Sequence, residues 1–589
     1  MRILRVLTMV IVSIIEIFLF ATVLADDKDH FLLRHYVNIE DDAFSYQLVS
    51  TNIQPGLTAY TYRLTSQNWR VKSEVDRTLW EHRLMIVVPD NLATHKAILF
   101  ITGGRNTPEY LVPDVARLEL LGAFASQSGS VAIEVNQVPN QPLVFADEPG
   151  AKCVEDDLVA YSWDTAMGSN DYTWAAYLPM TKAVIMSMDA VQQIAMDLDF
   201  IQKPNEFVLV GYSKRGAIAW LSAAIDKRVI AISPGVYDVL NIGLSVEHQR
   251  EVYGKLPEPL EDYDRRNVID RLRISEGSQL MEVVDPYSYV SKVTIPKYIV
   301  NASGDQFYPP DSSRFYFDNL KGESLLRYVP NTDHSGSNGG SENAMLGLLG
   351  WYQRVVSEKP RPGLSWNLNS KNNLSVSVSE SNATALLWSA DNPNARDFRL
   401  ETFGPNWHAT PVPFGADGNL SVSLEVPQVG WSGYFLEVTF QGVAGLPEKY
   451  TTPVFVFPDS ESFTLDQPVL APKSKIVWQQ ILTDLVAGNA ENRSLENSFP
   501  IRGLGDFTVS TISDAYALLS DIDAGDELRA QQACFTTRLN IKDGQLNWYS
   551  KSSKKQSLFL WQWWNFADLF YRARIYFIPE FICTSMNSS

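Results

Sequence analysis

Apolar residues follow two different patterns along the first 360 residues of the chain. Short runs that are predominantly apolar span 84–88, 97–101, 131–135, 207–210, 229–232, 298–300 and 325–329. Such runs are typical of strands that are covered on both faces of a sheet. Two longer stretches, 181–196 and 341–356, repeat apolar residues every three to four positions and are predicted to be helices. The alternation of strands and helices predicts a mostly parallel sheet flanked by helices.

Two residues mark where these helices are expected to begin. Pro179 stands just before the first stretch, where its fixed φ angle and missing N–H suit an opening helical turn. Ser341 opens the second stretch and is the candidate N-cap, because a serine hydroxyl can accept from a free backbone N–H. The first helix is therefore expected to begin near Pro179 and the second at Ser341.

A different pattern begins after the proline-rich segment 359–363, which is predicted to be a linker. From 364 to about 458, apolar and polar residues alternate strictly, most clearly at 374–379, 420–426 and 434–440. Alternation of this kind indicates strands with one buried and one exposed face, and turn residues separate the runs. We therefore expect an immunoglobulin-like antiparallel β-sandwich in this part of the chain.

The last 129 residues, 461–589, are predicted to form a mixed extension of unknown role. A helix is expected at 478–487, and a strongly aromatic segment spans 558–581. That segment contains Asp568, Arg572 and Arg574, which argue against a transmembrane span. It is interpreted first as a buried helix and alternatively as an interfacial helix; membrane contact is expected nowhere else.

The N-terminus has the layout of a secretory signal peptide. Arg2 and Arg5 precede an apolar run from 7 to 24, and short residues at 23–25 suit cleavage before a polar mature chain. An uncleaved signal anchor is the alternative. In either case, we expect a secreted, periplasmic or cell-surface protein with a signal peptide over residues 1–25.

Composition and charge narrow the functional classes. The chain of 589 residues is longer than one hydrophobic core of roughly 250–300 residues. Its formal net charge of −19 argues against nucleic-acid binding, which needs an excess of lysine and arginine. The three cysteines, Cys153, Cys534 and Cys583, allow at most one internal disulfide, and no cysteine–histidine cluster has the spacing of a zinc site. We expect no metal and no cofactor.

The segment 207–221 reads as a strand, a sharp turn and a helix around Ser213. This is the context of a nucleophile elbow, in which a serine hydroxyl stands above the carboxyl end of a sheet. Lys214 would supply one oxyanion N–H, and the turn at Gly103 and Gly104 would supply another. Arg215 occupies the position of the usual second glycine. The alternative is an ordinary strand-to-helix turn with a capping serine.

The partners of a serine nucleophile follow in the order that this elbow requires, serine, acid and histidine. Asp305 follows the run at 298–300 in the Gly-Asp that ends the predicted strand, and His334 follows the run at 325–329. Among the seven histidines only His334 and His408 lie after Asp305, and His408 falls in the sandwich. His334 is therefore the predicted base and Asp305 its acid. Rival acids are Asp311 and Asp333, and a surface histidine is the alternative for His334.

Two further patterns bear on the site. Glu155, Asp156 and Asp157 form an acidic run that is interpreted as the charged start of a helix, with a site for a substrate amine as the alternative. Asn-x-Ser/Thr glycosylation motifs start at 301, 373, 382, 419, 492 and 587. A glycan at Asn301 would crowd the predicted site.

Several of these strings resemble one known family, the PhoPQ-activated pathogenicity-related proteins. The resemblance covers about residues 35–458 and includes the elbow of the form G-x-S-K-R-G at 211–216. It continues in LPMTKA at 178–183, NASGD at 301–305, DSSRFY at 311–316, RYVPNTDH at 327–334, LWSA at 387–390, ARDFR at 395–399 and GW at 430–431.

The resemblance implies an exported α/β-hydrolase-like domain followed by a β-sandwich, and it makes Arg215 a family feature. The family's triad order is similar to that of secreted peptidases of the prolyl-oligopeptidase type. Its bacterial members are linked by name to virulence, and some eukaryotic relatives are secreted growth repressors. The resemblance implies no substrate.

Together these patterns predict an α/β-hydrolase domain at 26–360 and a β-sandwich at 361–460. The expected function is that of a secreted serine hydrolase acting on a peptide or an ester, with a preference for a dipeptidyl-peptidase-like or prolyl-oligopeptidase-like peptidase. The alternatives are a signalling or binding protein on a hydrolase scaffold, which needs no catalysis, and a surface-attached structural protein.

Overall fold

The structure, a computed structural model, describes residues 31–460 except 108, 113 and 381, together with Phe463 and five strands between 494 and 550. The predicted signal peptide, the helix at 478–487 and the aromatic segment at 558–581 lie outside the described residues. Among the helices that are described, none is long and apolar enough to cross a membrane.

The chain separates into two compact units. The first contains 1–166, 171–266 and 282–464, and the second contains 167–170, 267–281 and 465–589. The predicted domain boundaries at 360 and 460 stay predictions, because they were drawn from a change in sequence pattern and the division into these two units does not test them.

A large mixed sheet organises the first unit, and its strands run in the order β1-β2-β3-β5-β4-β6-β7-β8-β9. The first four in this order are antiparallel neighbours, and β5 to β9 are parallel. The strands are β1 Ser45–Gln54, β2 Leu57–Asn68, β3 Leu79–Pro89, β4 Lys96–Ile101, β5 Val131–Val135, β6 Glu206–Tyr212, β7 Val229–Gly235, β8 Lys297–Ala302 and β9 Ser324–Val329. The exchange of β4 and β5 beside an antiparallel strand is the order of the α/β-hydrolase fold, which confirms the predicted fold class.

Helices connect and cover these strands. Phe124 of α2 lies 5.2 Å from Phe100 of β4 and 6.2 Å from Tyr352 of α10, measured between ring centroids. Helices α4 and α5 contact each other and the strands β2, β6 and β7. The helices are α1 Phe31–Asn38, α2 Val115–Ser128, α3 Glu155–Ser169, α4 Tyr177–Asp197, α5 Lys214–Ile225, α6 Ile242–Tyr253, α7 Glu261–Arg265, α8 Val268–Arg271, α9 Ser275–Val284, α10 Gly340–Val356 and α11 Leu400–Phe403.

The apolar runs predicted the positions of β3 to β9, but one expected helix start was wrong. The run at 84–88 lies in β3, which is antiparallel to its neighbours. The hairpin of β1 and β2 had no such signal, because nearly all of β1 is exposed. Ser341 is not the N-cap of α10: the cap is Gly339, whose φ of 74° lies in the left-handed region that favours glycine.

Residues after 363 form two antiparallel sheets that share a hydrophobic core. One sheet has the order β10-β11-β14, and the other has the order β16-β15-β12-β13 with β17 beside β15. Leu374 and Leu420 of the first sheet belong to the same buried cluster as Leu436 and Phe440 of the second. The strands are β10 Leu364–Leu368, β11 Asn373–Val378, β12 Thr384–Asn392, β13 His408–Val412, β14 Asn419–Ser423, β15 Trp431–Gln441, β16 Pro447–Thr451 and β17 Phe455–Phe457.

The sandwich continues the hydrolase sheet. Strand β16 pairs with β9, where Thr451 lies opposite Leu326. Arg327, in the same strand β9, donates to Glu437 at 2.7 Å, and both side chains are buried. The alternating run at 420–426 corresponds to β14, which ends at Ser423.

The second unit contains an antiparallel sheet of its own, with the order β19-β18-β20-β21-β22. Its strands are β18 Ser494–Arg502, β19 Gly505–Thr511, β20 Glu527–Gln532, β21 Phe535–Lys542 and β22 Gln545–Ser550.

Candidate active site

Ser213 forms the turn between strand β6 and helix α5. Its backbone has φ 57° and ψ −135°, a conformation that residues other than glycine rarely adopt and that costs roughly 1–3 kcal/mol. The Ser213 N–H donates to the Gly235 carbonyl at 2.8 Å, and the Gly216 N–H donates to the Ser213 carbonyl at 2.7 Å. These bonds hold a strained serine at the carboxyl end of a central strand.

The structure accounts for the arginine in the elbow. A Cβ on Gly211 would overlap the carbonyl of Arg215, and a Cβ on Gly216 would lie 3.2 Å from both the Gly211 carbonyl and Tyr237 Cβ. The turn therefore needs its small residues at 211 and 216. The Arg215 side chain leaves the turn and reaches Glu155.

Asp305 and His334 form a hydrogen-bonded pair. Asp305 lies after β8 and His334 after β9, and Asp305 Oδ2 is 2.8 Å from His334 Nδ1. The other oxygen, Asp305 Oδ1, accepts from the Phe307 N–H at 2.8 Å. The Phe307 ring packs against the imidazole with centroids 4.1 Å apart. The pair is thus oriented by the loop that follows β8.

The second imidazole nitrogen of His334, Nε2, makes no hydrogen bond to the described residues. The same atom is buried. Strands β6, β7, β8 and β9 run parallel to one another, so Ser213, Asp305 and His334 follow strand ends at one sheet edge. No hydrogen bond joins Ser213 to His334 in the structure, and such contacts are often long before substrate binds.

The rival acids bind other groups. Asp333 accepts from the N–H groups of Ser335 at 3.0 Å and Ser337 at 3.1 Å, so it shapes its own loop. Asp311 lies 2.7 Å from Arg396 and 3.1 Å from His248, and all three of these side chains are buried. Asp305 is therefore the carboxylate that the structure brings to His334.

The turn at Gly103 and Gly104 follows β4, the strand next to β6. The Gly103 carbonyl accepts from Asn136 Nδ2, and the Gly104 carbonyl accepts from Gln141 Nε2 at 3.0 Å. The N–H groups of Gly103, Gly104 and Lys214 donate to no acceptor among the described residues. Backbone donors with this freedom are the kind that an oxyanion requires.

Sequence reasoning missed Asn136 and Gln141. The sequence carried part of the signal for them, because polar residues directly follow the buried strand β5. An acidic residue also lies within that strand. That acid, Glu134, is buried and accepts from Thr102 Oγ1 at 2.9 Å, and Thr102 in turn accepts from Asn136 Nδ2 at 2.7 Å. Strand β5 thus helps to hold the turn at Gly103 through Glu134, Thr102 and Asn136.

A compact group of charges lies beside the elbow, where α3 begins. Lys214 Nζ is 3.0 Å from both Glu155 and Asp156, and Arg215 is 2.7 Å from Glu155. Burial alone would raise the pKa of Glu155, but the charges of Arg215 and Lys214 lower this pKa to about 2. Two of the three acids of the predicted acidic run, Glu155 and Asp156, are therefore paired with the elbow's own cations.

Two sequence features near the site are buried. Asn301 lies within β8 and is 2% exposed, so its glycosylation motif is inaccessible in the folded chain. Cys153 is a free, fully buried thiol, and burial raises its pKa to about 12. A thiol with that pKa is unreactive at neutral pH.

Comparison with solved structures finds bacterial acetyl xylan esterases of low similarity. The one from a Thermoanaerobacterium species is 15% identical, with a TM-score of 0.36, and the match covers 54% of this chain and 93% of the other. The one from a Paenibacillus species is 15% identical, with a TM-score of 0.37, and the match covers 57% and 95% of the two chains. The assignment of the fold therefore rests on the strand order.

Comparison of sequences gives much stronger matches. The profile of the family described as PhoPQ-activated pathogenicity-related protein matches residues 33–399. Autocrine proliferation repressor protein A of Dictyostelium discoideum is 32% identical over 457 residues, which are 73% of this chain and 91% of that protein. The chain therefore belongs to the PhoPQ-activated pathogenicity-related protein family.

Proposed function

We propose that this protein is an exported serine hydrolase that transfers an acyl group from a peptide or an ester to Ser213 and then to water. The observation that carries the proposal is the pair of His334 and Asp305. Its hydrogen bond occupies Nδ1 and leaves Nε2 unpartnered at the sheet edge where the strained Ser213 lies.

The chemistry follows from these positions. His334 Nε2 accepts the hydroxyl proton as Ser213 Oγ attacks the carbonyl carbon, and the same nitrogen returns the proton to the leaving amine or alcohol. Asp305 holds the imidazole tautomer and stabilises its cation. The N–H groups of Lys214 and of the turn at Gly103 and Gly104 stabilise the oxyanion. Water then releases the acyl group from Ser213 by the same proton transfers.

The test is covalent labelling with a fluorophosphonate, followed by mass spectrometry of the labelled peptide. We expect wild-type protein to be labelled at Ser213 and Ser213→Ala to be unlabelled. Ser222→Ala is the matched control, because Ser222 is buried in the same helix, α5, and should leave labelling intact. Folded wild-type protein that resists the probe would overturn the proposal.

A second candidate, a secreted signal that needs no catalysis, is favoured by the name of one relative. Autocrine proliferation repressor protein A is named for an effect on growth and not for a reaction. If this reading is right, Ser213→Ala would keep the full biological effect on responding cells. A loss of that effect in Ser213→Ala, with the protein folded and secreted, would contradict it.

A further inference from the structure

Arg215 stands where the elbow pattern has glycine, and its guanidinium donates hydrogen bonds through Nε and Nη2. Nη2 donates to the two carboxylate oxygens of Glu155 at 2.7 and 2.9 Å. Nε donates to the Val138 carbonyl at 2.6 Å. The side chain is 12% exposed. Such a fork fixes a guanidinium in direction as well as position.

The same guanidinium lies directly against the proposed oxyanion turn. A Cβ on Gly103 would overlap the guanidinium of Arg215, so the arginine occupies the space beside this glycine. Close packing of this kind limits how far the turn can move toward α3.

Glu155 links the arginine to the next peptide of the turn. Its N–H donates to Gln141 Oε1 at 2.6 Å, and Gln141 Nε2 donates both to Glu155 Oε1 at 2.6 Å and to the Gly104 carbonyl at 3.0 Å. Glu155 has φ 48°, a left-handed conformation that persists only where its surroundings fix it. The contacts thus run from Arg215 through Glu155 and Gln141 to the turn.

Because each peptide is planar, contacts that fix the carbonyls of the turn also fix the directions of its N–H groups. A carbonyl and the N–H of the following residue share one rigid plane. Asn136 holds the Gly103 carbonyl, which sets the direction of the Gly104 N–H, and Gln141 holds the Gly104 carbonyl, which fixes the peptide between Gly104 and Arg105 and so the end of the turn. Oxyanion stabilisation depends on donors that already point at the developing charge.

We propose that Arg215 and Glu155 are positioning residues that hold the turn at 103–105 in the geometry needed to stabilise the oxyanion. This inference rests on the proposed serine-hydrolase function. Neither side chain touches the substrate: Arg215 acts by packing against Gly103, and Glu155 acts through Gln141.

The experiment compares the second-order rate constant of fluorophosphonate labelling with the melting temperature of each full-length variant. Arg215→Met removes the fork, Arg215→Lys keeps the charge alone, and Glu155→Gln keeps the shape without the charge. Arg228→Met is the control, because Arg228 forms comparable ion pairs with Asp189 and Asp226 at 2.6 Å.

Arg215→Met is expected to label about 100-fold more slowly, the effect of losing one oxyanion donor. Arg215→Lys and Glu155→Gln should fall between Arg215→Met and wild type. The midpoint of the pH–rate profile should stay unchanged, because the pair of His334 and Asp305 is untouched. Arg228→Met should label at the wild-type rate.

Each outcome has a distinct meaning. Wild-type labelling rates in folded Arg215→Met and Glu155→Gln would overturn the positioning role and leave the proposed function standing. A parallel loss of rate and melting temperature in these two variants and in Arg228→Met would also overturn it, since the effect would then be general destabilisation. No labelling of the wild type would overturn both proposals. If Arg215→Met fails to fold, Glu155→Gln alone decides.

Discussion

At the scale of single residues, Asp238 is a buried acid that the proposed mechanism does not use. It is 3% exposed and accepts from the hydroxyls of Tyr316 and Tyr328, each at 2.6 Å. Burial raises the pKa of Asp238 to about 7, although the two tyrosine hydrogen bonds lower it. The carboxyl therefore changes charge near neutral pH inside the fold.

This residue should make stability fall as pH rises. The unfolded chain releases the Asp238 proton near pH 4 while the folded chain keeps it to about pH 7, so the stability conferred by the neutral carboxyl is present below pH 4 and lost through pH 7. The slope is at most about 1.4 kcal/mol per pH unit. Asp238→Asn should remove this dependence. The melting temperature of Asp238→Asn should therefore rise relative to that of the wild type as the pH is raised from 4 to 8.

The control is Asp318→Asn, which changes an exposed carboxyl. Its difference from the wild type should vary little with pH in comparison. A constant difference between Asp238→Asn and the wild type from pH 4 to 8 would contradict the assignment of this dependence to Asp238.

At the scale of elements, the junction between β6 and α5 depends on glycines for space. A Cβ on Gly211 would overlap the Arg215 carbonyl, whereas a Cβ on Gly243, in α6, would meet nothing within 4 Å. The two glycines therefore offer a matched comparison of one substitution in a crowded turn and in an open helix.

Gly211→Ala should lower the free energy of unfolding by about 1–3 kcal/mol, because the turn must shift to admit the methyl group. It should also slow labelling of Ser213 by displacing the nucleophile. Gly243→Ala should be neutral or stabilising by up to about 1 kcal/mol, since alanine favours helix over glycine. Chemical denaturation and probe labelling measure both effects. Equal behaviour of the two variants would show that the turn tolerates a side chain.

At the scale of the whole molecule, the hydrolase and sandwich parts of the first unit are joined by more than a linker. The pairing of β9 with β16 carries one sheet into the other, and the buried pair of Arg327 and Glu437 lies beside it. In the sheet of β10, β11 and β14, alternate residues of β11 and β14 are exposed, so this sheet has a solvent-facing outer face.

That outer face carries two of the glycosylation motifs. Asn373 in β11 and Asn419 in β14 lie on adjacent strands, and their side chains accept from Ser421 and Ser377 of the facing strand. Asn382 is exposed at the start of the neighbouring segment, whereas Asn301 is buried.

If the chain is exported through a glycosylating secretory pathway, Asn373, Asn382 and Asn419 should carry N-glycans and Asn301 should not. Enzymatic deglycosylation in heavy-oxygen water marks each occupied asparagine for peptide mass spectrometry. Glycan on Asn301 in folded protein, or three empty motifs at 373, 382 and 419 in protein recovered from the medium, would contradict the expectation.

The sequence by itself determined the class of fold and the order of the candidate site residues. Strands buried on both faces must be apolar along their whole length, so β4 to β9 were visible as runs. The nucleophile elbow is also local, because a strand, a turn and a helix within 15 residues share one pattern. The positions of Asp305 and His334 followed from strand ends in the required chain order.

Tertiary structure decided what no local pattern contains. Arg215 meets Glu155 across 60 residues and Val138 across 77, and contacts over such distances depend on how separate loops pack at one sheet edge. The exposed strand β1 and the continuation of β9 into β16 likewise leave little periodic signal, because an edge strand and a shared edge are defined by their neighbours. The periodicity of a sequence indicates which face of a helix or strand is buried. Only the tertiary structure shows which residues pack against that face.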